Sequence, residues 1–193
     1  MKHISIYIIL LTLFLASCYK KGPYREMLDD ELASGVRNDS LFLGFHFGMP
    51  RKEFYASCWQ MNKEGLLIQG PNNLSVQYSL DDELSMPAFM RFYPSFDDNG
   101  NIYSMPMEFI FENYAPWNTS TSSDSLILEV KDLFESWYGP GFIKLEDEEG
   151  ARTVYVKIDG NRRIRLFKRD VSFVAADITD MTSEEMNKGE DEG

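Results

Sequence analysis

The spacing of apolar residues predicts a folded α+β domain between residues 40 and 179. Apolar positions that recur every second residue indicate strands, and positions that recur every three or four residues indicate helices. Along this stretch, a helical pattern followed by about four strand patterns occurs twice. We therefore predict two tandem units, residues 40–121 and 122–179, each with one helix packed on antiparallel strands.

Two segments have the periodicity of amphipathic helices. The first is predicted to begin at Pro50 and to end at Gly65. Its apolar face holds Phe54, Cys58 and Met61. The second is predicted to run from about Ser123 to Tyr138, and its apolar stripe holds Leu126, Ile127, Val130, Leu133, Phe134 and Trp137. We expect both stripes, with Trp137 included, to lie in the core.

The strands are predicted from alternation and from turn residues. They cover Leu41–Phe47, Leu66–Gln69, Leu74–Leu80, Phe142–Glu146, Thr153–Ile158, Arg163–Lys168 and Val171–Ile178. Two more strands flank the dipeptide Asn99-Gly100, which strongly favours a two-residue hairpin turn. The resulting residue pairs are Phe92 with Met107, Arg91 with Glu108, and Met90 with Phe109.

A second hairpin is predicted around Gly160 by a different argument. The apolar residues of its two strands are Val154, Val156, Ile158, Ile164 and Leu166. All have even numbers, so a shared apolar face requires a loop with an odd number of residues, and residues 160–162 fit. The opposite face would then present a basic and aromatic stripe made of Tyr155, Lys157, Arg163, Arg165 and Phe167. We expect this stripe to be exposed.

The first 17 residues have the features of an export signal. Lys2 provides a positive start, and Ile4–Leu15 is an apolar run of 12 residues, which is too short to span a bilayer. The motif Leu15-Ala16-Ser17-Cys18 follows, and it resembles the lipobox of bacterial lipoproteins. The resemblance implies that residues 1–17 are removed and that lipid on Cys18 anchors the protein to a membrane.

Polar segments flank the folded domain. Residues 18–39 are predicted to form a lipidated tether, with a turn of helix near Met27–Ala33, and residues 180–193 a disordered acidic tail. Tyr19 stands where an Asp retains many Gram-negative lipoproteins in the inner membrane, so the resemblance implies the outer membrane. Lys20 and Lys21 stand where some surface-exported lipoproteins carry acidic clusters, and we expect the protein to face the periplasm.

Charge and composition exclude several functions. Without residues 1–17, 18 basic residues stand against 31 acidic residues, a formal charge of −13. Nucleic acid is not an expected partner, because binding a polyanion requires a basic surface. Cys58 remains as the single cysteine once Cys18 carries lipid, so an internal disulfide cannot form. His46 is the single remaining histidine, which excludes a histidine-rich metal site, and we predict no cofactor.

Candidate catalytic groups have simpler structural interpretations. His46 and Cys58 could form a base and a nucleophile, but the helical stripe indicates a buried, inert thiol at Cys58. Carboxylates cluster at residues 81–83, 97–98 and 146–149, all at predicted loops or turns, where solvated charge is expected. We therefore predict a non-enzymatic protein.

The order of elements resembles the β-lactamase-inhibitor-protein fold, which has two tandem helix-plus-sheet units. It is also similar to the small lipoproteins of the outer-membrane assembly machinery, which have one such unit. The run Leu43-Gly44-Phe45-His46-Phe47-Gly48-Met49 resembles the signature of an uncharacterised lipoprotein family. These resemblances imply a fold and carry no functional residue over to this chain.

Three functions remain open. The first is an envelope lipoprotein that binds a protein partner, as an inhibitor or an assembly factor does, through the stripe and Trp117. The second is a glycan-binding or cell-wall accessory protein that uses exposed aromatic rings such as Trp117. The third is a hydrolase that uses paired carboxylates. We favour the first.

The lipid anchor gives a direct prediction. Replacing Cys18 with Ala removes the thiol to which lipid would be attached, so the variant should leave the membrane fraction and take up no labelled palmitate. Membrane fractionation and palmitate labelling measure both effects. A variant that still sediments with membranes and still takes up palmitate would show that the anchor lies elsewhere.

Overall fold

The α+β class is confirmed in the computed structural model, which describes residues 22–147 and 152–183. Within these ranges, three helices are present: α1 (Pro23–Ser34), α2 (Arg51–Lys63) and α3 (Ser123–Tyr138). The strands are β1 (Leu67–Gln69), β2 (Val76–Leu80), β3 (Ala88–Phe92), β4 (Ser95–Phe96), β5 (Ile102–Phe111), β6 (Ile143–Glu146), β7 (Thr153–Asp159), β8 (Arg162–Lys168) and β9 (Val174–Asp180). The predicted bounds of α3 match the structure.

The nine described strands form one antiparallel sheet. Their order is β1-β2-β3-β5-β9-β8-β7-β6, and β4 adds a short pairing to β5. The last strand of the chain, β9, therefore lies in the middle and joins β5 to β8. We call the side of the sheet that packs against α3 the helix face, and there Phe109 of β5 contacts Phe134 of α3 with ring centroids 5.9 Å apart.

The predicted strand Leu41–Phe47 is wrong. The segment forms successive turns with an isolated bridge between Ser40 and His46, and Leu43 has a positive φ of 53°. Its alternating apolar residues are nevertheless buried, with Phe45 at 1% exposure. The segment fills part of the core with its side chains but does not pair with a neighbouring strand as a ladder. Alternation of apolar residues alone cannot distinguish such a segment from a strand.

The first predicted hairpin has the correct register and an incorrect turn. The pairs Met90 with Phe109 and Arg91 with Glu108 are present. The turn, however, is closed by Asp97 N–H donating to Asn101 O at 2.8 Å, which leaves three residues in the loop, and φ of its Gly100 is +81°. A bulge between Ser95 and Phe96 shifts the register by one residue and cancels the extra loop residue.

The second hairpin has an even loop, so the predicted three-residue turn is wrong. Asp159 pairs with Arg162 across the two residues 160–161. Ile164 and Leu166 therefore point to the helix face, whereas Val156 and Ile158 point to the opposite face. The parity argument assumed one apolar side, but both sides of β7 and of the start of β8 are covered.

Helix α1 provides the second cover. It lies in the segment predicted to be a tether and packs on β7, where its Leu28 forms a buried cluster with Val156, Ile158 and Met181. The predicted turn of helix near Met27–Ala33 is a helix of 12 residues. The predicted tail also starts too early, because β9 continues to Asp180 and Met181 is buried. Residues 1–21 and 184–193, including Cys18 and the signal, lie outside the described residues.

Within residues 22–147 and 152–183, no helix is long and apolar enough to cross a membrane.

The docking of α1 gives a prediction about stability. Leu28→Ala removes a buried side chain from the α1–β7 contact and should lower the free energy of unfolding by about 2–3 kcal/mol. Asp30→Ala, at an exposed position on the opposite side of the same helix, should change it by less than about 0.5 kcal/mol. Urea denaturation measures both values. Equal effects of the two substitutions would contradict the packing of α1 on the sheet.

Candidate functional site

The sheet surface opposite α3 carries a row of charged and aromatic side chains. We call it the arginine face, and it consists of Arg91, Glu108, Arg165, Phe167, Asp177 and, from the β8–β9 turn, Arg169 and Phe173. These residues lie on β3, β5, β9 and β8, which are adjacent in the sheet. All of them except Arg165 help to line a shallow cavity of about 610 Å³.

Two of the three arginines of this face are already paired. Arg165 reaches across to Asp177, with Nε 3.0 Å from both carboxylate oxygens and Nη2 at 2.8 Å from one of them. Arg169 pairs with Glu108 of the neighbouring strand and lies 4.2 Å from the ring centre of Phe173. These pairs hold the guanidinium groups in fixed positions on the sheet.

Arg91 lacks such a partner among the described residues. Its Nε donates to Gln77 at 3.0 Å, and its guanidinium lies 6.0 Å from the Phe173 ring. Partial burial, and then the charge of Arg169, lower the pKa of Arg91. A partner carboxylate on another molecule would relieve this repulsion, because it would balance the third arginine of the face.

The β8–β9 turn is fixed by Asp170. Its carboxylate accepts hydrogen bonds from the backbone N–H groups of Ser172 and Phe173 at 2.8 and 2.9 Å. The Ser172 hydrogen bond is the largest cause that lowers the pKa of Asp170 to about 2, so the carboxylate stays ionised at neutral pH. Ser123 Oγ at the start of α3 donates to the Asp170 carbonyl at 2.6 Å. The turn that presents Arg169 is therefore rigid.

A second turn projects an apolar side chain beside the same cavity. Asn72 and Asn73 have positive φ angles of 58° and 60°, and Gly70 N–H donates to Ser75 O at 2.9 Å to close the turn. Leu74 then stands 76% exposed at the rim of the arginine face. Asn tolerates this left-handed conformation better than most other residues, so the turn holds Leu74 outward beside the arginine face.

The predicted stripe is only partly assembled. Tyr155 and Lys157 lie on the helix face, where Tyr155 packs against the core and Lys157 Nζ donates to Pro140 O at 2.9 Å. Arg163 lies on the other side but is only 9% exposed, beneath α1, and it donates to Tyr24 Oη at 3.2 Å. Two members reach the accessible arginine face: Phe167 lines its cavity, and Arg165 lies beside it, paired with Asp177.

Trp117 is 87% exposed and has no ring contact with another described aromatic residue. Arg169 and Phe173 were missed by the sequence analysis, because they lie in a turn whose path cannot be read from alternation. Arg91 was placed beside Glu108 by the predicted hairpin register, and that placement is correct. Trp137, predicted to be core, packs on Phe134 but remains 36% exposed.

The chain was compared with protein-family models, curated proteins and solved structures. None of them matches. The resemblances to lipoproteins and to the inhibitor-protein fold thus stay predictions, and the function is inferred from the geometry of the chain itself.

Two of the three acidic clusters, residues 81–83 and 97–98, serve local structure, and the third, residues 146–149, lies partly outside the described residues. Asp97 accepts hydrogen bonds from the backbone of Asn99 and Asn101 at 3.0 and 2.8 Å and so caps its own turn. Glu83 accepts from the Tyr78 hydroxyl at 2.7 Å. In the described part of the chain, no three His, Cys, Asp or Glu side chains are grouped so that they could hold a metal ion.

The half-buried thiol of Cys58 gives a prediction about pH. Burial raises the pKa of Cys58 to about 11, so the reactive thiolate is scarce at neutral pH. Alkylation by iodoacetamide at pH 7.5 should be at least about tenfold slower in the folded protein than in urea, where the thiol pKa is ~8.5. The folded rate should rise as the pH approaches 11. Equal rates at pH 7.5 would show a reactive, exposed thiolate.

Proposed function

We propose that this protein is a lipid-anchored envelope protein without enzymatic activity that binds an acidic protein partner through the arginine face. The observation that carries the proposal is a cavity on one sheet face that Arg91, Arg169, Phe167 and Phe173 help to line. Arg165 lies beside it, paired with Asp177. Arginine and aromatic residues are enriched in the cores of protein interfaces. In a chain of net charge −12, solubility alone would not require three arginines on one face.

The charges of this face favour an acidic partner. Three arginines stand against the two carboxylates of Glu108 and Asp177, and Arg91 has no carboxylate within 4 Å among the described residues. A partner carboxylate at Arg91 would form a charge-assisted hydrogen bond in a partly desolvated site. Leu74 at the rim supplies an apolar contact beside it.

The proposal includes the anchor predicted from the sequence, on Cys18 in the outer membrane and on the periplasmic side. Cys18 precedes Pro23, where α1 begins, by five positions, which an extended chain spans in about 18 Å. Because α1 packs on β7, the lipid would hold the β7 side of the sheet close to the bilayer. The arginine face would then lie beside α1, within reach of other envelope proteins.

The proposal also includes the two tandem units. Helix α2 precedes strands β1 to β5 and helix α3 precedes strands β6 to β9, and the last strand of each series lies at the centre of the sheet. This order is the pattern that a duplicated helix-plus-sheet unit would produce. It supports the predicted likeness to the fold of two tandem helix-plus-sheet units.

Glycan binding is the second candidate function, and one observation favours it. Tyr55, Trp59 and Tyr93 are exposed around another shallow cavity of about 430 Å³, and the Tyr55 and Tyr93 hydroxyls are 2.6 Å apart. Exposed rings of this kind bind sugars. A carboxylate hydrolase has less support, because Asp97 and Glu83 are engaged in turns.

Charge reversal on the arginine face tests the protein-binding proposal. The double variant Arg91→Glu/Arg169→Glu should lose a partner that the unchanged protein captures by cross-linking in its own cell envelope, with recovery reduced more than about tenfold. Quantitative mass spectrometry of the captured material measures the recovery. Arg169→Glu alone should change thermal unfolding little, because Arg169 is 41% exposed. Arg91 is partly buried and donates to Gln77, so Arg169→Glu alone serves as the test if the double variant is destabilised.

A matched control is Lys52→Glu/Lys144→Glu, which changes the net charge equally at exposed positions elsewhere. It should retain the partner. Identical sets of captured proteins from all three forms would reject the arginine face as a binding surface, and recovery of polysaccharide alone would favour the glycan-binding candidate.

A further inference from the structure

A separate cavity of about 560 Å³ opens on the helix face of the sheet. It lies between residues 38–43, the end of α3 and strand β2, and its volume is within the range of ~300–1,000 Å³ found for small-molecule sites. The floor is apolar, with Met90 fully buried. Four aromatic residues line the cavity: Phe42, Tyr78, Trp137 and Tyr138.

Three of these rings are fixed against one another. Phe42 and Trp137 are stacked, with ring centroids 6.2 Å apart and an angle of 26° between the planes. Tyr138 meets Trp137 edge-on, with centroids 6.1 Å apart at 85°. Rings in two nearly perpendicular orientations offer π surfaces on more than one side of a bound group.

The mouth of the cavity is negatively charged. Glu83 lines it and accepts a hydrogen bond from the Tyr78 hydroxyl at 2.7 Å, and Asp81 and Asp82 precede Glu83 in the same exposed turn. Burial is the main cause that raises the pKa of Tyr78 to about 12, and the charges of Glu83 and Asp81 raise it further. A cation that enters therefore meets the carboxylate of Glu83, and the charge of Asp81 acts on the same Tyr78 hydroxyl.

The inner end of the cavity carries no uncompensated charge. Arg162 is the one cationic side chain among the described residues that line it. Its guanidinium pairs with Asp159 at 2.7 Å, donates to Ser40 O at 2.7 Å, and lies 4.6 Å from the centre of the Tyr138 ring. The charge of Arg162 is balanced by Asp159 inside the fold, which leaves Glu83, among the described lining residues, as the unpaired charge that sets the sign of the site.

We propose that this cavity binds a small organic cation with an apolar shell, of the quaternary-ammonium class. The negative face of an aromatic ring attracts such a cation, which loses little hydration on entry. A hydrated metal ion would require several oxygen ligands, which aromatic walls do not supply. An anion would be repelled by Glu83 at the mouth. The site is independent of the arginine face, because Tyr78 and Met90 pair on the opposite side of the sheet.

Choline and its neutral isostere 3,3-dimethylbutan-1-ol are probes that separate charge from shape. Saturation-transfer NMR on the methyl protons should show saturable millimolar or tighter binding of choline, and at least about tenfold weaker binding of the neutral alcohol. Glu83→Gln removes one carboxylate at an exposed position and should weaken choline binding about threefold or more. Trp137→Ala removes a ring of the site and should abolish it.

Trp117→Ala is the matched control for loss of a tryptophan, because Trp117 is exposed and far from the lining residues in sequence. It should bind choline as the unchanged protein does. Circular dichroism checks the fold of each variant, and Glu83→Gln keeps the test valid if Trp137→Ala unfolds. Equal binding of choline and the alcohol, no saturable binding, or unchanged binding by Glu83→Gln would each overturn the proposal.

Discussion

Strand pairing between β5 and β9 is the contact on which the other features of this protein depend. β5 has ten residues, the longest strand in the described sheet, and it joins β3 on one side to β9 on the other. Their ladder brings together residues as distant in sequence as Ser104 and Thr179, whose hydroxyls are 3.0 Å apart. On the helix face, Phe109 of β5 packs against α3. On the other face, the pairing places Glu108 beside the turn that holds Arg169.

Burial on both sides of β7 and of the start of β8 gives neighbouring arginines different roles. Arg162 points to the helix face, where it pairs with Asp159 and holds the Ser40 carbonyl, so it secures residues 38–43 over the cavity. Arg163 points to the other face and is covered by α1. Arg165, two residues further along β8, lies beyond that cover and is accessible beside Asp177. The position of α1 thus decides where the arginine face begins.

Patterns within a few residues of the sequence were sufficient to predict several elements. The bounds of α3 follow from its apolar stripe and from Gly139, which ends the helix with a φ of 80°. The pairing of Arg91 with Glu108 was also predicted correctly, although the turn was not. The predicted pairing is correct because burial of one apolar face fixes the register strongly. The bulge at Ser95 compensates for the extra residue of the turn.

The sequence by itself determined the α+β class, both predicted helices, most strands and the register of the first hairpin, because these depend on spacing within a few residues. Only the tertiary structure decided that residues 41–49 fill the core as turns, that α1 is docked, and that Tyr155 and Arg165 lie on opposite faces. Which face of a strand is buried depends on the elements that pack against it. The cover of Val156 and Ile158 comes from Leu28, more than a hundred residues earlier in the chain, and no local pattern carries that information.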